Sequence, residues 1–272
     1  MKTNQDQFYI GWQAKAPAIY ATFTRKIIII LVLLILLFSV LFVTNQRKFS
    51  NGKYEVGKLR NIKGVIYQYP VPMIKVKTGT NDFQSFLLFG FGKSDARQTI
   101  ELLEKKAGKL EDYYVGLQSE LIYYDGKTLL EVPYEENKVD TLEKIKEKMP
   151  ERVIESLGNM ELKGEIVDPK CFFGVMKPGF GKIHRSCAIR CISGGIPPVF
   201  VTTNKKGESD YFIVIGKNGE KINSKILQFA GIPVIANGEV EKVDDWYVLK
   251  IDPEKGLWLN KDKNAQSYYF SE

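Results

Sequence analysis

One run of residues limits what this chain can fold into more than any other. Ile27 to Val43 reads IIIILVLLILLFSVLFV, with no charge and Ser39 as its one polar residue. A core helix of a soluble protein keeps a polar face, so a helix apolar on every side predicts a membrane span. At 1.5 Å per residue the run covers about 25 Å, a little short of a hydrocarbon core of about 30 Å. Thr24 and Thr44 lengthen it, and Arg25, Lys26, Arg47 and Lys48 reach to the interface from its ends. Thr44-Asn45-Gln46-Arg47 is no small-residue cleavage site, so a retained anchor over 27–44 is expected in place of a signal peptide. The tail over 1–26 carries Phe8, Tyr9, Trp12, Tyr20 and Phe23, residues suited to a membrane–water interface. Basic residues flank both ends, so the positive-inside rule does not orient the span. A short tail before a long C-terminal part fits a signal anchor, with that part expected on the periplasmic side.

The 272 residues leave room for two small domains, and 44% hydrophobic with 26% charged residues excludes global disorder. After the anchor, short β-branched and aromatic runs alternate with Gly-containing turns. The two halves follow one order. Gly64–Tyr67, Phe86–Gly90, a helical stretch to Gly108, Tyr114–Gly116 and Leu129–Val132 make the first series. Gly164–Val167, Phe212–Lys217, a helical stretch to Gly231, Pro233–Gly238 and Trp246–Ile251 make the second. Strand, strand, helix, strand, turn, strand is the order of an OB-type barrel. The expected fold is therefore mainly β (α+β): a transmembrane helix followed by two small OB-like β-barrel domains, 52–136 and 161–252. A helical connector over 137–160 joins them, since Leu142, Ile145, Met149, Val153, Ile154 and Leu157 recur at three- and four-residue steps around Pro150. Residues 253–272 are expected to form a tail.

The second copy is longer, and the extra length, 168–198, holds every cysteine and the only histidine of the chain. One histidine excludes any mechanism that needs two, and three cysteines are too few for a disulfide scaffold. His184, Cys187 and Cys191 stand at i, i+3 and i+7, on one face if the stretch is helical. Gly194-Gly195 and Pro197-Pro198 would end that helix. Cys171 follows a strand ending at Val167, and a turn through Pro178-Gly179 would return the helix face to its sulfur. Cys171, His184, Cys187 and Cys191 are the expected metal ligands, a Cys₃His set suited to zinc, with an iron–sulfur cluster or copper as alternatives. A disulfide between two of the cysteines competes with this, as does inert packing. Asp168, Lys170, Lys182, Arg185 and Arg190 surround the ligands, either balancing a thiolate-bound metal or docking an anionic partner.

The run D-x-K-C-x-x-G-x-M-x-P-G-x-G-x-x-H-R-x-C-A-x-x-C-I-x-G-G-I-P-P, Asp168 to Pro198, resembles a group of largely uncharacterised bacterial membrane-anchored proteins. Its H-x-x-C-A-x-x-C element is similar to that of small exported OB-like proteins. The resemblance implies an exported, membrane-tethered protein and supplies no substrate.

No Walker-type loop is present: Gly90-Phe91-Gly92-Lys93 lacks its spacing. No nucleophile elbow and no c-type haem motif occur, and Glu135-Glu136 and Asp244-Asp245 read as turns. Enzymatic activity is left open. The expected function is a membrane-tethered extracytoplasmic metal-binding protein, an accessory or electron-transfer subunit of a membrane redox assembly. The alternative is a thiol–disulfide oxidoreductase or metallochaperone using Cys187 and Cys191. The net charge of +7 permits an acidic partner, while the anchor argues against nucleic acid.

Overall fold

The structure is a computed structural model that describes residues 17–45, 52–80, 82–132, 134–135, 138–145 and 152–262. The aromatic residues Phe8 to Trp12 lie outside that range. The chain divides into two compact units, Met1–Lys48 and Phe49–Glu272. In the first, helix α1 (Ala18–Asn45) runs past both ends of the expected span. Its stretch Tyr20–Asn45 has a mean hydropathy of 3.4 and none of it is buried. At 1.5 Å per residue those residues span about 39 Å, enough to cross a bilayer core.

The second unit opens with β1 (Lys53–Tyr54), β2 (Arg60–Tyr67), β3 (Met73–Lys77) and β4 (Phe83–Phe89). Helix α2 (Arg97–Ala107) follows, then β5 (Tyr113–Tyr124), β6 (Lys127–Glu131) and β7 (Val139–Lys144). Strand β2 pairs antiparallel with β3 and β5, β3 with β4, and β5 with β6, and β4 and β6 pair in parallel. These five pairings close a ring, β2-β3-β4-β6-β5. With α2 between its third and fourth strands this is the OB-type barrel read from the sequence. Asp125-Gly126 turns β5 into β6 with φ values of 48° and 72°, the left-handed pair that a two-residue hairpin requires.

The second sheet contains β8 (Ile154–Val167), β9 (Val199–Thr203), β10 (Ser209–Gly216), β11 (Pro233–Val243), β12 (Trp246–Ile251) and β13 (Leu257–Leu259). Its order is β12-β10-β9-β8-β11-β13, with β11 also paired to β12. Helix α3 (Gly181–Ser193) lies between β8 and β9, and the one-turn α4 (Asn223–Ile226) between β10 and β11. Strands β8 and β11 make a long ribbon, from Pro233↔Glu165 to Val243↔Ile154.

The expectation of two OB-like barrels joined by a helical connector is corrected here. The fold is one five-stranded OB-type barrel and one six-stranded sheet, in a single unit. Residues 139–144 form a strand that lies along β5, and residues from 154 onward belong to β8. Three- and four-residue steps of apolar residues do not distinguish a short helix from two strand ends when Pro150 divides them. Val139 and Leu142 pack against the barrel core, which an exposed connector helix would not do. Met149 and Pro150 lie outside the described residues. The expected tail also contributes structure, because β13 pairs with β11.

The halves coalesce because strands of both sheets are buried on both faces. On β4, Phe86 and Leu88 point into the barrel core while Leu87 and Phe89 point into a second core shared with the other sheet. On β10, Tyr211, Ile213 and Ile215 join that shared core, and Phe212 and Val214 fill the far side. The turn Asp244-Asp245 seals the contact. Asp244 pairs with Lys75 of β3 at 3.0 Å and with Arg152 at 2.8 Å. Asp245 accepts the Ser85 N–H at 3.0 Å, and the indole N–H of buried Trp246 donates to the Ser85 carbonyl at 2.7 Å.

Burial by itself would raise the Asp244 pKa, but hydrogen bonds from Arg152 and Lys75 hold it below the usual carboxylate range. Its stabilising effect is thus complete above the unfolded-state pKa and is lost as pH falls through the folded one. Asp244→Asn is expected to cost about 3–5 kcal/mol, since it removes the charge that two cations share in a buried site. Urea melts at pH 7 check the size. The difference between variant and wild type should shrink as the pH is lowered below about 4.

Candidate metal centre

The shared core carries the chemistry. Strand β8 ends at Val167, and Asp168, with no exposed surface, starts a tight turn. Its Oδ1 accepts the Lys170 N–H at 3.0 Å and its carbonyl accepts the Phe172 N–H at 3.0 Å. This winds Cys171–Val175 into one wide helical turn and faces the Cys171 sulfur into the core. Phe172 and Phe173 lock the turn against Tyr211 and Trp246, with ring centroids 4.8–6.2 Å apart. The chain then reverses, and α3 starts at Gly181, whose N–H donates to the buried Glu165 carboxylate at 2.6 Å.

Helix α3 places His184 and Cys191 on its buried side and Cys187 at the edge, half-buried. All three cysteines are free thiols, and the Cys171 and Cys187 sulfurs stand 4.0 Å apart. The ligand atoms of Cys171, Cys187 and Cys191 lie within 4.8 Å of one another. So do those of Asp168, Cys171 and His184. Tetrahedral zinc with Zn–S of about 2.3 Å needs sulfurs about 3.8 Å apart, so the observed spacing fits a metal and is far too long for a disulfide. The cluster is capable of binding a metal ion. The expected Cys₃His quartet takes the form of two triads that meet at Cys171, with Asp168 a potential ligand beside His184.

The barrel supplies a residue that the sequence reading missed. Lys93, in the loop after β4, directs its ammonium to Cys187 Sγ at 3.1 Å and to Cys191 Sγ at 3.8 Å. Two features hold the loop there. Lys170 is buried, paired with Glu131 at 2.8 Å, and donates to the carbonyls of Gly92 at 2.9 Å and Gly90 at 3.4 Å. A Cβ on Gly194 would collide with the Lys93 carbonyl, and Gly195 (φ 104°) lies against Asp95. The glycines that end α3 therefore also admit the barrel loop. Lys170 is thus committed to structure, and it is not part of an open basic shell. Arg185 donates to the Gln228 carbonyl at 3.1 Å, while Lys182 and Arg190 are exposed.

The electrostatic settings of Cys171 and Cys191 differ in sign. Donation toward Cys191, with burial and the Asp168 carboxylate adding, pushes the Cys171 thiol up. Accepting from Cys171 lowers Cys191 against the effect of burial, and Lys93 assists. The bond to Cys187 raises Lys93. Burial lowers His184, keeping the imidazole neutral and available as a ligand. Asp168 Oδ2 and His184 Nε2 are buried without a hydrogen-bond partner. Comparison with protein-family models, with curated proteins and with solved structures finds no match.

Burial pushes Glu165 up to about 7, against the lowering effect of the Gly181 N–H. A raised carboxyl binds its proton more tightly in the folded state, so it subtracts stability as pH rises from about 4.5 to about 7. Glu165→Gln keeps an acceptor for Gly181 and should flatten this part of the stability curve. Denaturant melts of both proteins between pH 5 and 8 test it, and parallel curves would refute the assignment.

Proposed function

We propose that this is a membrane-tethered metal protein whose ion is held by Cys171, Cys187 and Cys191, with Asp168 or His184 completing the set. The observation that carries the reading is the convergence of three thiols, an unpartnered carboxylate oxygen and an unpartnered imidazole nitrogen at the edge of the shared core. Buried polar atoms without partners are costly, and a cation removes that cost. The Lys93 ammonium offsets part of the thiolate charge at the cluster's half-open side. Zinc suits the donor set best, and copper(I) or an iron–sulfur cluster would suit the same soft sulfurs.

The reading extends to an extracytoplasmic accessory or electron-transfer subunit of a membrane redox assembly. The apolar α1 supports the tether. Half-buried Cys187 supports access by a partner, because it is the one sulfur of the three at the rim. With zinc the role is accessory, since zinc has no redox chemistry. With copper or a cluster the centre itself would carry electrons. A thiol–disulfide exchanger using Cys187 and Cys191 is the competing reading. The free thiols within 4.8 Å of one another and the neighbouring Lys93 favour it.

Purification of the full chain in detergent without oxygen, followed by elemental analysis and an absorption spectrum, separates these. Near-stoichiometric metal that is lost in the triple Cys→Ser variant supports the metal protein, and visible bands indicate copper or a cluster. Metal-free protein whose thiols cycle reversibly with a disulfide reagent would replace it with the exchanger. Lys93→Ala should weaken metal retention against a chelator by about 10- to 100-fold, the usual effect of removing an outer partner of a ligand.

A further inference from the structure

A single ion among the three sulfurs leaves part of the cluster unexplained. Asp168 and His184 belong to the triad that does not contain Cys187 or Cys191, and Asp168 Oδ2 and His184 Nε2 are the atoms they leave unpartnered. Both atoms are buried and without partners, and their residues are 0% and 3% exposed. The ligand atoms group within 4.8 Å as two triads, Cys171 with Cys187 and Cys191, and Cys171 with Asp168 and His184, not as one set of five. A thiolate has lone pairs for two metals, and Cys171 is the donor common to both triads.

We propose that the cluster binds two metal ions bridged by the Cys171 thiolate. One is held by Cys171, Cys187 and Cys191, and the other by Asp168, Cys171 and His184. This rests on the metal-protein reading and adds a second ion to it. With metal–sulfur bonds of about 2.3 Å, the two ions would stand no more than about 4.6 Å apart. The sites differ in character. The first is all sulfur and borders Lys93. The second offers one oxygen, one sulfur and one nitrogen, a harder set that suits zinc or cobalt(II) over copper(I). Three thiolates and one carboxylate total −4, and two divalent ions bring +4, so two ions neutralise the donors where one leaves −2.

The test is a cobalt(II) titration of the full chain in detergent without oxygen, read by absorption and by electron paramagnetic resonance. Two equivalents are expected. Thiolate-to-cobalt absorption should rise with both, and the resonance of the first ion should fade as a coupled second ion arrives. His184→Ala should stop the titration at one equivalent, with thiolate absorption kept and no fading. The wild-type titration needs no variant to fold, so it stands alone if His184→Ala does not. Saturation of the wild type at one equivalent with an unattenuated resonance would overturn the second ion and leave the single-ion reading intact. No cobalt bound at all would overturn both.

Discussion

The structure depends on burial of both faces of its central strands. A half-buried strand alternates apolar and polar residues, but Phe86-Leu87-Leu88-Phe89 and Phe212-Ile213-Val214-Ile215 are apolar throughout. Such strands need a partner on each side. In each half, one face packs on its own interior and the other on the shared core, so neither half is a complete domain by itself. Of the described polar clusters, the buried Asp244–Lys75–Arg152 group and the Lys170–Glu131 pair lie where the halves meet. Buried ion pairs contribute little net stability compared with apolar residues of the same shape, but a misplaced charge there is costly. Their effect is therefore to fix one mutual register.

That register builds the cysteine–histidine–aspartate cluster. Asp168 and Cys171 come from the turn after β8, His184, Cys187 and Cys191 from α3, and Lys93 from the barrel loop after β4. Lys170 links these elements, because it neighbours Cys171 in the chain and holds the carbonyls of Gly90 and Gly92. Any shift between barrel and sheet would move Lys93 relative to the sulfurs. The cluster thus reports on the assembly of the whole second unit.

Much of this was legible in the sequence, and the limits have physical causes. The apolar helix shows because seventeen consecutive residues from Ile27 to Val43 carry no charge and leave no polar face. The barrel shows because turn residues such as Asp125-Gly126 punctuate its β-branched and aromatic runs. The gathering of the cysteines and histidine shows because spacings of three and four residues share a helix face. The connector was misread because pairing of β7 with β5 is a contact across the fold, and local periodicity carries no trace of it. Lys93 was passed over because its partners lie 94 and 98 residues away in the chain. The clue was the glycine pair at 194–195, read as a helix stop. A Gly-Gly at a helix end also marks a place where another backbone comes close, and here that backbone is the loop carrying Lys93. Asp168 is expected only around the ligands, although it lies three residues before Cys171 and begins the same turn.

A metal at this position would be coupled to folding in a particular way. Its ligands must lose protons and come together, so the free energy of binding adds to that of the folded unit. The turn after β8 and helix α3 gain most, since they supply the donors. The barrel loop gains through Lys93, whose ammonium has a counter-charge only while the thiolates are in place. Loss of the ion would then loosen α3 and the β4–α2 loop together, on the side where Cys187 meets solvent. The barrel core takes no residue from α3, whereas the far core of the sheet includes Ala188 and Ile192 of α3 and would feel its loosening. A partner that takes or delivers metal, or electrons, would thus meet the part of the second unit whose order depends most on what the cluster holds.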